Sequence, residues 1–237
     1  MTNKQIKPVD NGNILHEPDM LLEICRILLL NEARIFLVGL VMANMQLKTH
    51  HVLRNVLVPT KELVNMFGNN KAYYSEISKV AERLREKVII LNEQRLPIFR
   101  EIKFSAENGG LTMMFNPQLT PLIADLASRN YIIVLMRISF ILNSIYALRI
   151  LIILLRVREY YRIDDCVNLT VNLEDIRYCL AIPNTATYQQ ITNIRNKVLN
   201  KPINDINRNN IGFKVGYDVV KNGRKVSGFL FTMKKCG

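Results

Sequence analysis

Residues 131–156 read YIIVLMRISFILNSIYALRILIILLR, the most apolar run in the chain, and the fold depends on whether this run crosses a membrane or lies inside a folded domain. A membrane-spanning helix needs about 18 to 20 consecutive, mostly apolar residues. Here Arg137 and Arg149 interrupt the run, and Arg156 and Arg158 close it. The longest charge-free piece extends only from Ile138 to Leu148 and contains Ser139, Asn143 and Ser144. An arginine near a bilayer centre costs at least about 2.5 to 3.5 kcal/mol. Ile138, Ile141, Ile145, Leu148, Ile152 and Leu155 recur at alternating spacings of three and four, which is one helical stripe. Leu142, Ile150 and Leu154 beside it are apolar as well. A helix that is apolar nearly all round, yet too interrupted to span, is a core helix. The expectation is one buried helix from about Ile138, in a protein that engages no membrane.

Around this run the chain has 237 residues, enough for one large domain or two small ones. The N-terminal MTNKQIKPVDNGN is polar and lacks the apolar core of a signal peptide. Cys25, Cys166, Cys179 and Cys236 show no CxxC pair or other metal-ligand spacing. Reduced thiols in a cytoplasmic protein are expected. The net charge is +12, unevenly placed. Residues 1–125 carry 15 Lys/Arg against 13 Asp/Glu, and residues 126–237 carry 17 against 7. A basic C-terminal half beside a nearly neutral N-terminal half points to a local polyanion-binding surface. A solvated basic face without a partner is the competing explanation.

Upstream of the run, the first thirty residues read as a loose arm with a short strand near Ile14. Asn31 is a candidate cap for a helix from Glu32 to about Met45. HVLRNVLVP is extended, Thr60 is a candidate cap for the short helix KELVNMF, and a longer helix follows from about Lys71 to Val88. FREIKF and GLTMMF then form a hairpin through Asn108-Gly109-Gly110. Downstream the same order returns. VNLTV is strand-like, Asn172 caps LEDIRYCL, and Thr187-Tyr188-Gln189-Gln190 fits a capping box that starts a longer helix. IGFKVGYDVV and RKVSGFLFTM flank Lys221-Asn222-Gly223, another hairpin. Short helix, long helix and two-stranded hairpin is the order of a winged helix. Two copies predict an α+β fold of two tandem winged-helix domains, 1–125 and 126–237.

The second long helix, YQQITNIRNKVLNKPINDI over residues 188–206, carries the functional signal. Tyr188, Ile191, Ile194 and Val198 form its packing stripe. Gln189, Asn193, Asn196 and Asn200 line the other side at four-three-four spacing, flanked by Thr192, Arg195 and Lys197. Asn and Gln bond adenine N6/N7, and Arg bonds guanine O6/N7. A plain solvated face usually carries Glu–Lys pairs, and this one has no acid until Asp205. Lys221, Arg224 and Lys225 at the hairpin tip would meet phosphate. In the first copy, Lys79 and Arg83 are auxiliary DNA-contact candidates. Glu76, Glu82 and Glu86 offset the cations there, so an ordinary salt-bridged surface explains that helix equally well. Pro202 should kink or end the second helix near Asn200.

Catalytic signatures are missing. The chain has no Walker A loop and no HExxH. His16, His50 and His51 cannot form the His-hydrophobe-His site of a rolling-circle nuclease. The pairs Tyr73-Tyr74 and Tyr160-Tyr161 then read as packing residues rather than nucleophiles. No enzyme activity, no cofactor and no metal are expected.

YYSEISKVAERLREKVIIL, LNSIYALRILIILLR, and YQQITNIRNKVLNKPINDIN followed by VVKNGRKVSGFLF together resemble segments of the winged-helix plasmid replication initiators that bind iterons, over roughly residues 25–235. The resemblance implies that the second domain makes the main contacts to double-stranded DNA at directly repeated origin sequences. It places Arg195, Asn196 and Lys197 where the family carries base- and phosphate-contacting residues. The family usually has more arginine there, and the amides suggest a site richer in A·T. The resemblance further implies a monomer that binds iterons, a homodimer through the N-terminal domain that can repress its own promoter, and recruitment of host replication proteins such as the replicative helicase. The competing readings are a winged-helix transcription regulator, which would use the same surface, a nickase or relaxase, against which the missing metal motif argues, and a structural or self-associating protein whose charge is incidental.

Overall fold

The computed structural model describes residues 20–67, 73–91, 93–105 and 109–236. The expected strand near Ile14, the start of the long helix at Lys71, Asn108 of the first turn, and His16 lie outside the described residues. The chain divides into two units. One is Glu23–Ile141. The other is Leu142–Gly237 with the N-terminal residues through Leu22. Where a loose arm is expected up to residue 30, a helix α1 spans Met20–Ile27.

The first unit runs α2 (Leu30–His50), β1 (Val56–Pro59), α3 (Thr60–Phe67), α4 (Tyr73–Arg85), β2 (Val88–Leu91), β3 (Gln94–Pro97), β4 (Phe99–Ser105), β5 (Gly110–Phe115), α5 (Thr120–Ser128) and α6 (Asn130–Ser139). Its main sheet has the order β1-β5-β4, all antiparallel, with β2 and β3 forming a separate hairpin. Phe36 of α2 meets Phe99 and Phe115 edge-on at 6.3 Å each, while the latter two stack at 5.0 Å. Such ring clusters contribute about 0.5–1.5 kcal/mol per pair beyond area burial.

The second unit runs α7 (Ile145–Tyr160), β6 (Cys166–Asn172), α8 (Leu173–Cys179), a short turn α9 (Ala186–Gln189), a long helix over residues 191–208, β7 (Phe213–Asn222) and β8 (Lys225–Lys235). Its sheet order is β6-β8-β7. Strand for strand this repeats β1-β5-β4, so both units have the winged-helix order of helix, strand, two helices and a terminal hairpin. The α+β tandem architecture is therefore present. Even a packing detail is duplicated. Gly110 of β5 lies opposite Pro59, the last residue of β1, and Gly228 of β8 lies opposite Asn172, the last residue of β6. A Cβ at either glycine would run into a backbone carbonyl, that of Val58 or Val171. In each unit only glycine lets the hairpin approach the strand end where the second helix begins.

Several expectations are corrected. The domain boundary expected after residue 125 falls inside α5, and the division lies between Ile141 and Leu142. The cause is that α5 and α6 pack on α2 and complete the first unit. The single helix expected from Ile138 is two helices. Ser139 ends α6, where Arg34 Nε donates to its carbonyl at 2.9 Å, and Ser144 caps α7 by accepting from the Tyr146 amide at 3.2 Å. The apolar stripe runs through this break because each half needs an apolar face of its own. The core placement itself holds: α7 is buried nearly all round, from Ala147 to Leu155. Among the described residues no single helix is long and apolar enough to cross a membrane.

Helix starts differ as well. Glu32, not Asn31, caps α2, accepting the Leu29 amide at 2.9 Å, and Asn31 instead accepts from Arg34 at 2.6 Å. Thr60 is the first residue of α3, and its buried hydroxyl finds no hydrogen-bond partner among the described residues. Asn172 does cap α8, accepting the Asp175 amide at 2.8 Å.

Candidate nucleic-acid interface

The long helix of the second unit starts at Ile191, after a break at Gln190 whose φ/ψ of −80°/121° is extended. The expected capping box at Thr187 starts no helix: Thr187 lies inside the short α9, whose N-cap position is Thr185. Three consecutive segments then form one continuous helix: Ile191–Asn193, a π-helical Ile194–Asn200, and Lys201–Arg208. Backbone angles at Asn193, Ile194, Asn200 and Lys201 are all right-handed helical. Pro202 therefore does not end the helix near Asn200, contrary to expectation. Proline lacks the amide that would bond four residues back, and its ring clashes with that carbonyl in an α-helix. Here Pro202 is the second residue of the Lys201–Arg208 segment, directly after the π-helical stretch, and the first turn of a helical segment is where a missing amide is tolerated.

Ile194, Val198, Leu199, Ile203 and Ile206 are buried and hold the helix to the unit. Polar anchors fix its direction. The Asn207 side chain bonds both backbone groups of Val215 on β7, donating to the carbonyl and accepting from the amide, each at 2.8 Å. The Asp205 carboxylate accepts from the Asn143 amide and side chain at 2.7 and 3.0 Å. The one acid on the helix is thus engaged by Asn143. At the other end, Arg177 of α8 donates to the Tyr188 carbonyl at 2.7 Å. Tyr188 and Tyr146 are hydrogen-bonded to each other. Burial, then the neighbouring Tyr188, push the Tyr146 phenol above its ordinary pKa, so it stays neutral and can donate.

The sequence-derived candidates separate into three groups. Arg195, Asn196, Lys197 and Thr192 are exposed on the long helix, with Lys201 one turn further. Asn200 is half-buried, and its amide donates to Asn196 Oδ1 at 3.2 Å while its Oδ1 accepts from the Tyr217 hydroxyl at 2.7 Å. Tyr217 also accepts from Arg195 Nε at 3.4 Å. Arg195, Asn196 and Asn200 therefore form one network through a tyrosine of β7. Gln189 and Asn193 are not part of it. Gln189 sits before the break in α9. Asn193 is directed back into that turn, donating to the Thr187 carbonyl at 2.8 Å and to Gln190 at 3.2 Å. The four-three-four amide row expected from spacing is thus broken at its first half.

Lys221, Arg224 and Lys225 are all exposed at the β7–β8 tip, where Asn222 pairs with Lys225 and Gly223 takes φ = 61°. In the first unit, Lys79 is exposed, but Arg83 turns inward. Its Nε lies 2.9 Å from Glu32, a fully buried carboxylate that Lys87 also reaches at 3.2 Å. Tyr217 was not singled out as a site residue. Its signal was a hydroxyl placed on the inward face of an alternating apolar strand, which must find a polar partner.

The topology and this exposed helix define a tandem winged-helix protein whose second unit presents a basic, amide-bearing surface. The chain belongs to the initiator replication protein family: residues 19–155 match the family described as "Initiator Replication protein, WH1" and residues 172–233 match "Initiator Rep protein, WH2". Among solved structures, the chain is similar in fold to the Pi initiator protein, crystallised in complex with iteron DNA. The TM-score is 0.71 and the identity 18%, covering 91% of this chain and 94% of that one. A weaker likeness links it to domains 2 and 3 of RctB, with a TM-score of 0.44 and 8% identity over 88% and 83% of the two chains. No curated protein sequence gives a significant match.

Proposed function

We propose that this replication initiator binds directly repeated double-stranded sequences at a plasmid origin, reading bases with the exposed face of residues 192–201 and holding phosphates with the β7–β8 tip. The observation that carries this is the Arg195–Tyr217–Asn200–Asn196 network on a helix whose sole acid is bonded elsewhere. The terminal nitrogens of Arg195 suit guanine O6 and N7. Asn196 retains both N–H donors and one oxygen lone pair, the pattern that adenine N7 and N6 require. Lys221, Arg224 and Lys225 supply affinity without sequence preference. The fold shared with the Pi initiator, itself solved on iteron DNA, supports the same assignment.

The finer parts of the proposal are a homodimer through the first unit that represses the protein's own promoter, recruitment of host proteins such as the replicative helicase, and a cytoplasmic site of action. No catalytic step and no cofactor are assigned. A metal-dependent nicking assay on supercoiled origin DNA tests that part, and nicking would overturn it. The main test is footprinting on DNA flanking the protein's own gene. Two recognition helices in successive major grooves lie about 10–10.5 bp apart. Several direct repeats should be protected beside an A·T-rich segment, each over about 20 bp if both units engage, whereas protection that stops within one turn means that the first unit is not engaged. Protection of one isolated site with no repeats would favour a pure transcription regulator instead.

A further inference from the structure

We infer that Tyr217 and the π turn facing it form a positioning device, which presents Arg195 to DNA in a register that an ordinary α-helix could not supply. This rests on the long helix being the base-reading element. The Tyr217 hydroxyl touches two helix residues five positions apart, Arg195 and Asn200. On an α-helix such residues point about 140° apart, so one hydroxyl could not meet both. In a π turn they stack, because its hydrogen bonds run between residues five apart. The π segment is Ile194–Asn200, the stretch that contains both. Pro202 lies just after this segment, and in a regular α-helix its ring would clash with the carbonyl four residues back.

Tyr217 is itself held firmly. Its ring packs edge-on against Phe229 at 5.6 Å and lies tilted against Phe231 at 6.2 Å. Two strands of the sheet thus fix the hydroxyl, and the hydroxyl fixes the guanidinium. Engaging Nε leaves the two terminal nitrogens of Arg195 outward, the pair that forks onto guanine O6 and N7. The same hydroxyl orders Asn200, whose amide steadies Asn196. A residue of the wing scaffold, touching no base, therefore sets the aim of the two reading side chains.

The test uses the full chain and a pool of duplexes randomised over about two helical turns. The selected duplex is then substituted one base pair at a time. Arg195→Ala identifies the base pair it reads, as the position where discrimination disappears. Tyr217→Phe keeps the ring packing and removes only the hydroxyl. It should cut discrimination at that base pair by about 2- to 12-fold. Base pairs read by neither Arg195 nor Asn196, and the salt dependence, should not move. Pro202→Ala permits the α register and should lower discrimination at the same base pair. Unchanged discrimination there in Tyr217→Phe overturns the proposal. So does an even loss across all positions, which would make Tyr217 a fold residue, or a Pro202→Ala effect at a different base pair. If Arg195→Ala leaves discrimination intact everywhere, the base-reading assignment fails first and takes the positioning role with it.

Discussion

The third helix of each winged-helix unit occupies the same place in the same topology, yet the two are engaged in opposite ways. In the first unit α4 sends Arg83 to a buried carboxylate, Glu32, on α2, with Lys87 just beyond the helix reaching the same group. In the second unit the long helix keeps Arg195, Asn196 and Lys197 exposed, and its only acid, Asp205, is bonded to Asn143. The first helix holds its unit together by internal charge pairing. The second is held by apolar burial and amide clamps, which leaves its cations free for an external polyanion. The scaffold thus does not dictate function; the partners of a few charged side chains do.

The largest expected effects test whether the two scaffolds are equivalent. Gly110→Ala and Gly228→Ala should each destabilise the protein by about 3 kcal/mol or more, because the added Cβ meets a backbone carbonyl that cannot give way. Urea denaturation measures this, and a benign substitution at either glycine would show that the duplicated close approach is not needed. Next comes Glu32→Ala. Stranding a buried charge typically costs about 3–5 kcal/mol, but Arg83 and Lys87 are partly exposed and can turn to water. A loss of about 2–3 kcal/mol is expected, with DNA discrimination unchanged. If the loss is negligible, internal pairing is not what distinguishes the first unit. The smallest effects concern phosphate contacts. Lys225→Ala should weaken cognate and random duplex alike and lower the salt slope by about one. Lys79→Ala, measured in the same titrations, tells whether the first unit touches DNA: a matching fall in slope means that it does, and an unchanged slope means that the helix is only a solvated surface.

Much of this was legible in the sequence. Regular alternation at Phe213, Val215, Tyr217 and Val219, and the glycine-bearing turns, located both hairpins. The repeated order of elements yielded two winged helices. The break between α6 and α7 was not legible, because a periodic apolar stripe cannot distinguish one buried helix from two in line. Asn31 has the right chemistry for a cap, but Glu32 also satisfies two cations from other elements, which no local pattern reveals. Arg83 looked like a surface cation because its partner lies 51 residues away in sequence. Pro202 suggests a helix terminus because proline disrupts the α pattern, whereas the helix runs on through it from the π-helical stretch. Of the proposed interface, the exposed Arg195, Asn196, Lys197 and wing tip were visible from spacing. The diversion of Asn193 and the part played by Tyr217 depend on tertiary hydrogen bonds.

The central claim, that residues 192–201 read bases while the wing holds phosphate, is tested most directly by one comparison. Arg195→Ala and Asn196→Ala are titrated at several salt concentrations on the selected duplex and on scrambled DNA. Each lost base contact should lower cognate affinity by about 1–3 kcal/mol and relax preference at one base pair, with much smaller loss on scrambled DNA. If both variants leave the cognate-to-scrambled ratio unchanged, the helix is a solvated face and the site of recognition lies elsewhere.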